Sequence, residues 1–197
     1  QGLGEEGLKL LAKAREETGL PIVTELLSQD QAELVAEYSD MLQIGTRNAQ
    51  NFQLIIAAAK TGKPVLLKRG MSMRIMEWLL AGEYVLANRN PNLLFCERGI
   101  RTFEDYTRNT LDLSAVAVVK AESHCPIVVD PSQGCGRADL INSLCKGAVA
   151  MGADALLIEV HPNPAAAWSD GAQQITLDGF KELMRDLKPV IKAAGRS

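Results

Sequence analysis

The chain has 197 residues, a formal net charge of -3 and 47% hydrophobic residues, which is the composition of an ordinary globular protein. This charge gives no bulk attraction to nucleic acid or to an anionic membrane, so neither is expected as a partner. The four cysteines match no zinc-binding or redox spacing, and no apolar run approaches the roughly 20 residues that span a bilayer. We therefore expect a cytoplasmic protein with reduced thiols.

A helical segment opens the chain, and six short apolar runs follow it. These runs are Ile22–Thr24, Met41–Ile44, Pro64–Leu67, Leu93–Phe95, Ile127–Val129 and Ala155–Ile158. Because they are short and continuously apolar, they favour buried parallel strands over exposed antiparallel ones. Helical patterns lie between them, the longest over Met71–Ala87. This alternation predicts an α/β fold with a parallel sheet.

Two architectures satisfy such a pattern, an open doubly wound sheet and a closed (β/α)8 TIM barrel. No G-x-G-x-x-G motif follows the first run, which removes one support for the open sheet. The chain is shorter than the roughly 250 residues typical of a barrel, and it opens at Gln1 and not at Met. We predict an incomplete TIM barrel of about six strand–helix units. Residues 1–197 would form a single catalytic domain that lacks its first strands.

Polar residues follow the apolar runs directly, and basic residues follow three of them in succession. Arg47, Lys68 and Arg98 each stand just after a predicted strand and beside Gly, Asn or another charged residue. The carboxyl ends of parallel barrel strands share one rim, so these cations would converge there and bind a small polyanion. A single basic residue would more simply solubilise the rim. Glu97 could serve the site or could pair with Arg98 or Arg101.

Carboxylates and an imidazole follow the last run. Glu159 and His161 end it, and Asp170 comes shortly afterwards. Carboxylate and imidazole groups together suit a divalent metal such as Mn2+, Fe2+ or Zn2+. Gly134 and Gly136, where a helix is expected to begin, could also hold a phosphate.

Six stretches carry a resemblance to a known family: residues 42–52, 63–70, 96–104, 108–112, 129–132 and 158–171. Stretch 96–104 reads CERGIRTFE, for example. In order and over essentially the whole chain, they resemble the type I β class of the 3-deoxy-D-arabino-heptulosonate-7-phosphate synthases. The resemblance implies a transferase that condenses phosphoenolpyruvate with erythrose 4-phosphate, at the first step of the shikimate pathway to aromatic amino acids. It also implies small-molecule substrates and a homo-oligomer at full length.

The resemblance further implies roles for individual residues. Arg47, Lys68 and Arg98 match the cations that bind phosphoenolpyruvate, and Lys68, Arg98 and His161 are the expected catalytic residues. Glu159 and Asp170 match two ligands of a metal that polarises the aldehyde of erythrose 4-phosphate.

This chain departs from the family pattern at the metal site. The family's Asp-Pro-Ser-His is here Asp-Pro-Ser-Gln, which puts Gln133 in the position of a third ligand, His. A Gln side chain offers a transition metal only a weak neutral oxygen. A ligand Cys and a substrate-binding Lys-Pro-Arg-Thr-Ser loop would lie before Gln1. We therefore expect weak or absent metal-dependent activity from this polypeptide.

Two other functions stay open. A 3-deoxy-D-manno-octulosonate-8-phosphate synthase shares the barrel and the phosphoenolpyruvate chemistry, although stretches 99–104 and 108–112 favour the heptulosonate enzyme. A non-catalytic phosphate-binding relative is the second alternative, and Gln133 is the residue that favours it.

Overall fold

The computed structural model describes residues 2–196, in which helices and strands alternate as predicted. Gln1, on which the prediction of a missing N-terminus rests, lies outside the described residues. The strands are β1 Val23–Glu25, β2 Met41–Ile44, β3 Val65–Lys68, β4 Leu93–Glu97, β5 Ile127–Val129 and β6 Ala155–Leu156. The α-helices are α1 Gly4–Thr18, α2 Ala32–Tyr38, α3 Phe52–Lys60, α4 Ile75–Ala87, α5 Ser114–Glu122, α6 Pro131–Cys135, α7 Ile141–Met151 and α8 Leu177–Ala193.

The six strands hydrogen-bond in the order β1-β2-β3-β4-β5-β6, and the pairings β1–β2, β2–β3 and β5–β6 are parallel. A doubly wound sheet reverses its strand order at a switch point, and this sheet has no such reversal. The predicted fold class is therefore confirmed as α/β, with six successive strand–helix units of an incomplete (β/α)8 barrel. Within residues 2–196, no helix has the length and hydropathy needed to cross a bilayer.

The chain divides into two compact units, the first made of residues 1–70 and 76–95. Its core contains Trp78, which is fully buried on α4 and donates from its indole nitrogen to the carbonyl of Leu67, 3.1 Å away. The same ring meets Phe95 of β4 edge-on, with ring centroids 5.0 Å apart. Gly82 allows this close approach, because a Cβ there would lie 2.5 Å from the Phe95 ring.

The second unit consists of residues 71–75 and 96–197. Its core lies between α7 and α8, where Cys145 and Val149 pack with Leu183 and Leu187. Burial raises the pKa of the Cys145 thiol to about 12, which leaves it a small apolar group at neutral pH. All four cysteines within residues 2–196 are free and buried.

Several element boundaries differ from the prediction. Strands β1 and β3 are each shifted by one residue towards the C-terminus, and β4 extends two residues further, to Glu97. Helix α4 begins at Ile75 and not at Met71, because residues 71–74 are not helical and the Met71 carbonyl accepts the Arg101 N–H at 2.8 Å. Strand β6 ends at Leu156 and not at Ile158, although the Leu157 N–H still donates to the Val129 carbonyl at 2.9 Å. Residues 71–74 have no hydrophobic periodicity of their own, so the sequence pattern did not indicate that the helix begins only at Ile75.

Candidate active site

Strand β4 ends in Glu97, a fully buried carboxylate that organises the loop after the strand. Its Oε1 atom accepts the backbone N–H of Gly99 at 2.6 Å and that of Asp112 at 3.4 Å. Gly99 adopts a left-handed φ of +88°, and a Cβ there would lie 2.8 Å from the Asn109 Cβ. The carboxylate and the glycine together fix the backbone on both sides of Arg98.

Arg98 is only 5% exposed, and its guanidinium is incompletely hydrogen-bonded. Nη2 donates to Oε1 of Gln133 at 3.1 Å, whereas Nε and Nη1 are buried and have no partner within residues 2–196. Burial lowers the pKa of Arg98 and the nearby charge of Asp130 opposes this, so the group stays cationic. A buried cation with two unused donor nitrogens is costly, and an anionic ligand would relieve that cost.

Gln133, in α6, bridges Arg98 and Glu159. Its Nε2 atom donates to Oε1 of Glu159 at 2.6 Å, while its Oε1 atom accepts from Arg98. The backbone of Gln133 is held as well, since its N–H donates to Oδ1 of Asp130 at 2.9 Å and its carbonyl accepts from Asn109 at 2.9 Å. The amide orientation follows from these charges, because a flipped amide would turn NH2 towards the guanidinium and oxygen towards the carboxylate.

Glu159 also makes hydrogen bonds to residues other than Gln133. Its Oε1 atom also accepts from Nε2 of Gln173 at 2.9 Å, and its backbone N–H donates to the Ser132 hydroxyl at 3.0 Å. Nη1 of Arg108 lies 2.9 Å from Oε1 of Gln173 and 2.9 Å from Oδ1 of Asp170. The second unit therefore places four predicted site residues in one continuous hydrogen-bonded network: Arg98, Gln133, Glu159 and Asp170.

His161 lies two residues beyond Glu159 and has different partners. Its ring Nδ1 accepts the Asn163 N–H at 3.0 Å, and its backbone N–H donates to the Ile175 carbonyl at 3.0 Å. In the neutral ring the proton therefore sits on Nε2. Neither of these partners is Glu159 or Arg98, and a catalytic role for His161 stays a prediction.

The first unit carries the other two predicted cations. Arg47 is exposed, in the 3-10 turn Thr46–Asn48 after β2. Lys68 is the last residue of β3 and is 8% exposed. The adjacent Arg69 lies over the Trp78 ring, 5.9 Å from its centroid, as a cation–π contact. Arg47 follows its strand as expected, whereas Lys68 is still part of β3, and the binding role of both residues stays a prediction.

The predicted phosphate-binding role of Gly134 and Gly136 is not supported by their positions. Both glycines lie at the C-terminal end of α6, where carbonyl groups and not N–H groups are unpaired. A Cβ on Gly134 would lie 2.6 Å from Leu111, and one on Gly136 would lie 2.5 Å from the Arg108 Cβ. These glycines allow close packing of the 108–111 loop.

Residues 1–193 of the chain match the DAHP synthetase I family. The chain belongs to this family. It is 51% identical over 195 residues to the phospho-2-dehydro-3-deoxyheptonate aldolase of Thermotoga maritima, covering 99% of this chain and 58% of that protein. A truncated 3-deoxy-D-arabino-heptulosonate 7-phosphate synthase from Thermotoga maritima superposes with a TM-score of 0.97 at 49% identity, covering all of this chain and 75% of that structure. The 2-dehydro-3-deoxyphosphooctonate aldolase of Syntrophotalea carbinolica is 33% identical over 197 residues, covering 94% of this chain and 70% of that protein.

DAHP synthases are in general metal-dependent, so the predicted ligands of this chain can be tested for fit. One oxygen of each predicted ligand faces a hydrogen-bond donor: Oε1 of Gln133 faces Arg98, Oε1 of Glu159 faces two amides, and Oδ1 of Asp170 faces Arg108. Among residues 2–196, no group of three or more His, Cys, Asp and Glu side chains is placed to hold a metal ion. The side chains of the described residues therefore do not fit a metal centre.

Three members of the network were not predicted from the sequence. Arg108 and Asn109 were visible only as parts of a family motif, and Gln173 was not singled out. Gln173 is 2% exposed and Asn109 is 5% exposed. Buried polar residues of this kind look like ordinary loop residues in a sequence, and only their partners reveal them.

Proposed function

We propose that the protein condenses phosphoenolpyruvate with erythrose 4-phosphate to give 3-deoxy-D-arabino-heptulosonate 7-phosphate and phosphate. The observation that carries this proposal is the buried Arg98 with two unpaired guanidinium nitrogens. Membership of the DAHP synthetase I family supports it. The chain spans 58% of the length of the Thermotoga maritima aldolase, so the proposal concerns the protein at its natural length.

The substrate explains why a planar cation would be needed. Phosphoenolpyruvate carries a phosphate and a carboxylate, and a guanidinium matches either group through two parallel hydrogen bonds. We propose that Arg47 and Lys68 contribute to binding of the same substrate, as the family resemblance implies.

C3 of phosphoenolpyruvate attacks the aldehyde carbon, water adds at C2, and phosphate leaves by cleavage of its C–O bond. Fixed cations favour this step by stabilising the charge that moves onto the departing phosphate.

The remaining expectations belong to this proposal. The family resemblance implies Mn2+, Fe2+ or Zn2+, but the described side chains do not fit a metal centre, so the proposal does not include one. His161 is proposed as catalytic. A homo-oligomer is proposed for the protein at its natural length. Four free and buried cysteines support a cytoplasmic location, because disulfides are rare in that compartment.

The experiment is an aldose-selectivity assay on the protein at its natural length. Consumption of phosphoenolpyruvate is measured with erythrose 4-phosphate, with arabinose 5-phosphate and with no aldose. We expect kcat/KM for erythrose 4-phosphate to exceed that for arabinose 5-phosphate by roughly 100-fold, with no consumption in the absence of aldose. The reverse preference would identify an octulosonate enzyme. Binding of phosphoenolpyruvate without turnover would identify a non-catalytic relative.

A further inference from the structure

Gln133 stands between a buried cation and a carboxylate that would otherwise face each other across the site. Its amide accepts from Arg98 at 3.1 Å and donates to Glu159 at 2.6 Å. A neutral group with a donor at one end and an acceptor at the other satisfies both charges without neutralising either. Arg98 thereby keeps Nε and Nη1 available to a ligand.

We propose that this bridge replaces a metal ion, and that the site binds its anionic substrate without a divalent cation. Gln133 is then a positioning residue, because its hydrogen bonds to Arg98 and Glu159 fix the distance between these two side chains. The identity of the substrate rests on the proposed function, whereas the exclusion of the metal rests on the hydrogen bonds of this chain alone.

The first support is the direction of the lone pairs. A metal ion needs oxygens whose lone pairs converge on an empty point. The only side-chain oxygen of Gln133 faces a guanidinium, so an ion bound there would lie beside a positive charge. Turning the amide over would bring its NH2 group against Arg98 and its oxygen against Glu159, which is unfavourable at both ends.

The second support is that one oxygen of each carboxylate is already hydrogen-bonded. Oε1 of Glu159 accepts two N–H donors, Gln133 at 2.6 Å and Gln173 at 2.9 Å, which match the two lone pairs of that oxygen. Oδ1 of Asp170 accepts from Arg108 at 2.9 Å, in a solvent-exposed salt bridge. A metal ion that bound through these two oxygens would have to displace the donors Gln133, Gln173 and Arg108.

The test measures metal binding directly, with Co2+ as the probe. Chelator-treated protein at its natural length is titrated with Co2+, and the visible d–d absorption is recorded for wild type, Gln133→His and Gln133→Glu. Gln53→His is the matched control, because Gln53 is exposed on α3 and outside this network. Far-UV circular dichroism checks that each variant is folded. In parallel, the Kd of phosphoenolpyruvate is measured on wild type with and without chelator.

We expect wild type and Gln53→His to develop no Co2+ absorption, and the wild-type Kd of phosphoenolpyruvate to change by less than about twofold with chelator. Gln133→His should gain about one Co2+ per chain. Gln133→Glu should gain it as well, because its second oxygen would face Glu159 and attract a cation.

A wild-type protein that binds one Co2+ per chain, or that loses phosphoenolpyruvate binding more than roughly tenfold with chelator, would overturn the proposal. Failure of both Gln133 variants to gain Co2+ would overturn the assignment of metal exclusion to Gln133. If phosphoenolpyruvate does not bind wild type under either condition, the proposed function fails, and the Co2+ titrations still decide the inference.

Discussion

At the scale of single residues, the side chain of Asp154 connects segments of the second unit that are distant from it in the sequence. Its carboxylate accepts from the Ile127 N–H at 2.9 Å, from Lys120 at 2.9 Å and from Arg196 at 3.0 Å. Burial alone would raise the pKa of Asp154, but these donors outweigh it and hold the pKa below the usual value for Asp. The ionised carboxylate therefore stabilises the folded state.

Replacing Asp154 by Asn should lower the free energy of unfolding by about 1–2 kcal/mol at pH 7, through weakened ion pairs with Lys120 and Arg196. A lowered pKa gives stability that is present above the unfolded-state pKa of about 3.9 and is lost as pH falls through the folded-state value. The deficit should therefore be constant from pH 7 to about pH 5 and shrink below about pH 4.

Urea unfolding across that pH range measures this deficit, with Asp178→Asn as the control, since Asp178 is 87% exposed and forms an ion pair with Lys181. A deficit that keeps the same size down to pH 3 would show that the charge of Asp154 is not what stabilises the fold.

At the residue scale, some members of the site could be predicted from the sequence and others could not. Gln133 and Glu159 could be placed near Arg98 in advance, because all three follow strands whose carboxyl ends meet. Gln173 and Arg108 could not, because Arg108 reaches across 65 residues to Gln173. Nothing local in either segment specifies such a contact.

At the scale of elements, all six strands were predicted because buried parallel strands are continuous apolar runs. Their ends were less accurate. Lys68 closes β3 and Glu97 closes β4, although a charged residue in a sequence suggests that the strand has already ended. For β4 the reason lies in the pairing, because the Glu97 carbonyl still accepts the Asp130 N–H at 2.8 Å.

The loop after β4 allows a matched pair of glycine substitutions. Gly99 and Gly62 both have left-handed φ values, +88° and +73°, but a Cβ on Gly99 would meet Asn109 and Gly134 whereas one on Gly62 would meet nothing within 4 Å. Gly62→Ala should cost about 1 kcal/mol of unfolding free energy from backbone strain alone. Gly99→Ala should cost about 2–4 kcal/mol, because the steric overlap adds to the strain.

Chemical denaturation of the two variants measures the difference, and phosphate binding gives a second readout. Only Gly99→Ala should also weaken phosphate binding, since Gly99 adjoins Arg98. Equal stability losses in the two variants would contradict the tight packing inferred for this loop.

At the scale of the whole molecule, the alternation of strands and helices fits both an open sheet and a barrel, and the barrel was predicted because no G-x-G-x-x-G motif follows the first apolar run. Both are built from the same strand–helix units, and local periodicity does not encode which strands become neighbours. The observed order, in which every strand neighbours the next in sequence, is the order of a barrel. The family match agrees with it over residues 1–193.

The central claim concerns the ligand of Arg98, and the dissociation constant of phosphoenolpyruvate tests it most directly. Isothermal titration calorimetry would compare wild type, Arg98→Ala and the control Arg137→Ala at natural length; Arg137 is an exposed residue that pairs with Asp139. We predict that Arg98→Ala weakens binding roughly 100-fold and that Arg137→Ala changes it less than about twofold. Wild-type affinity in Arg98→Ala would contradict the account.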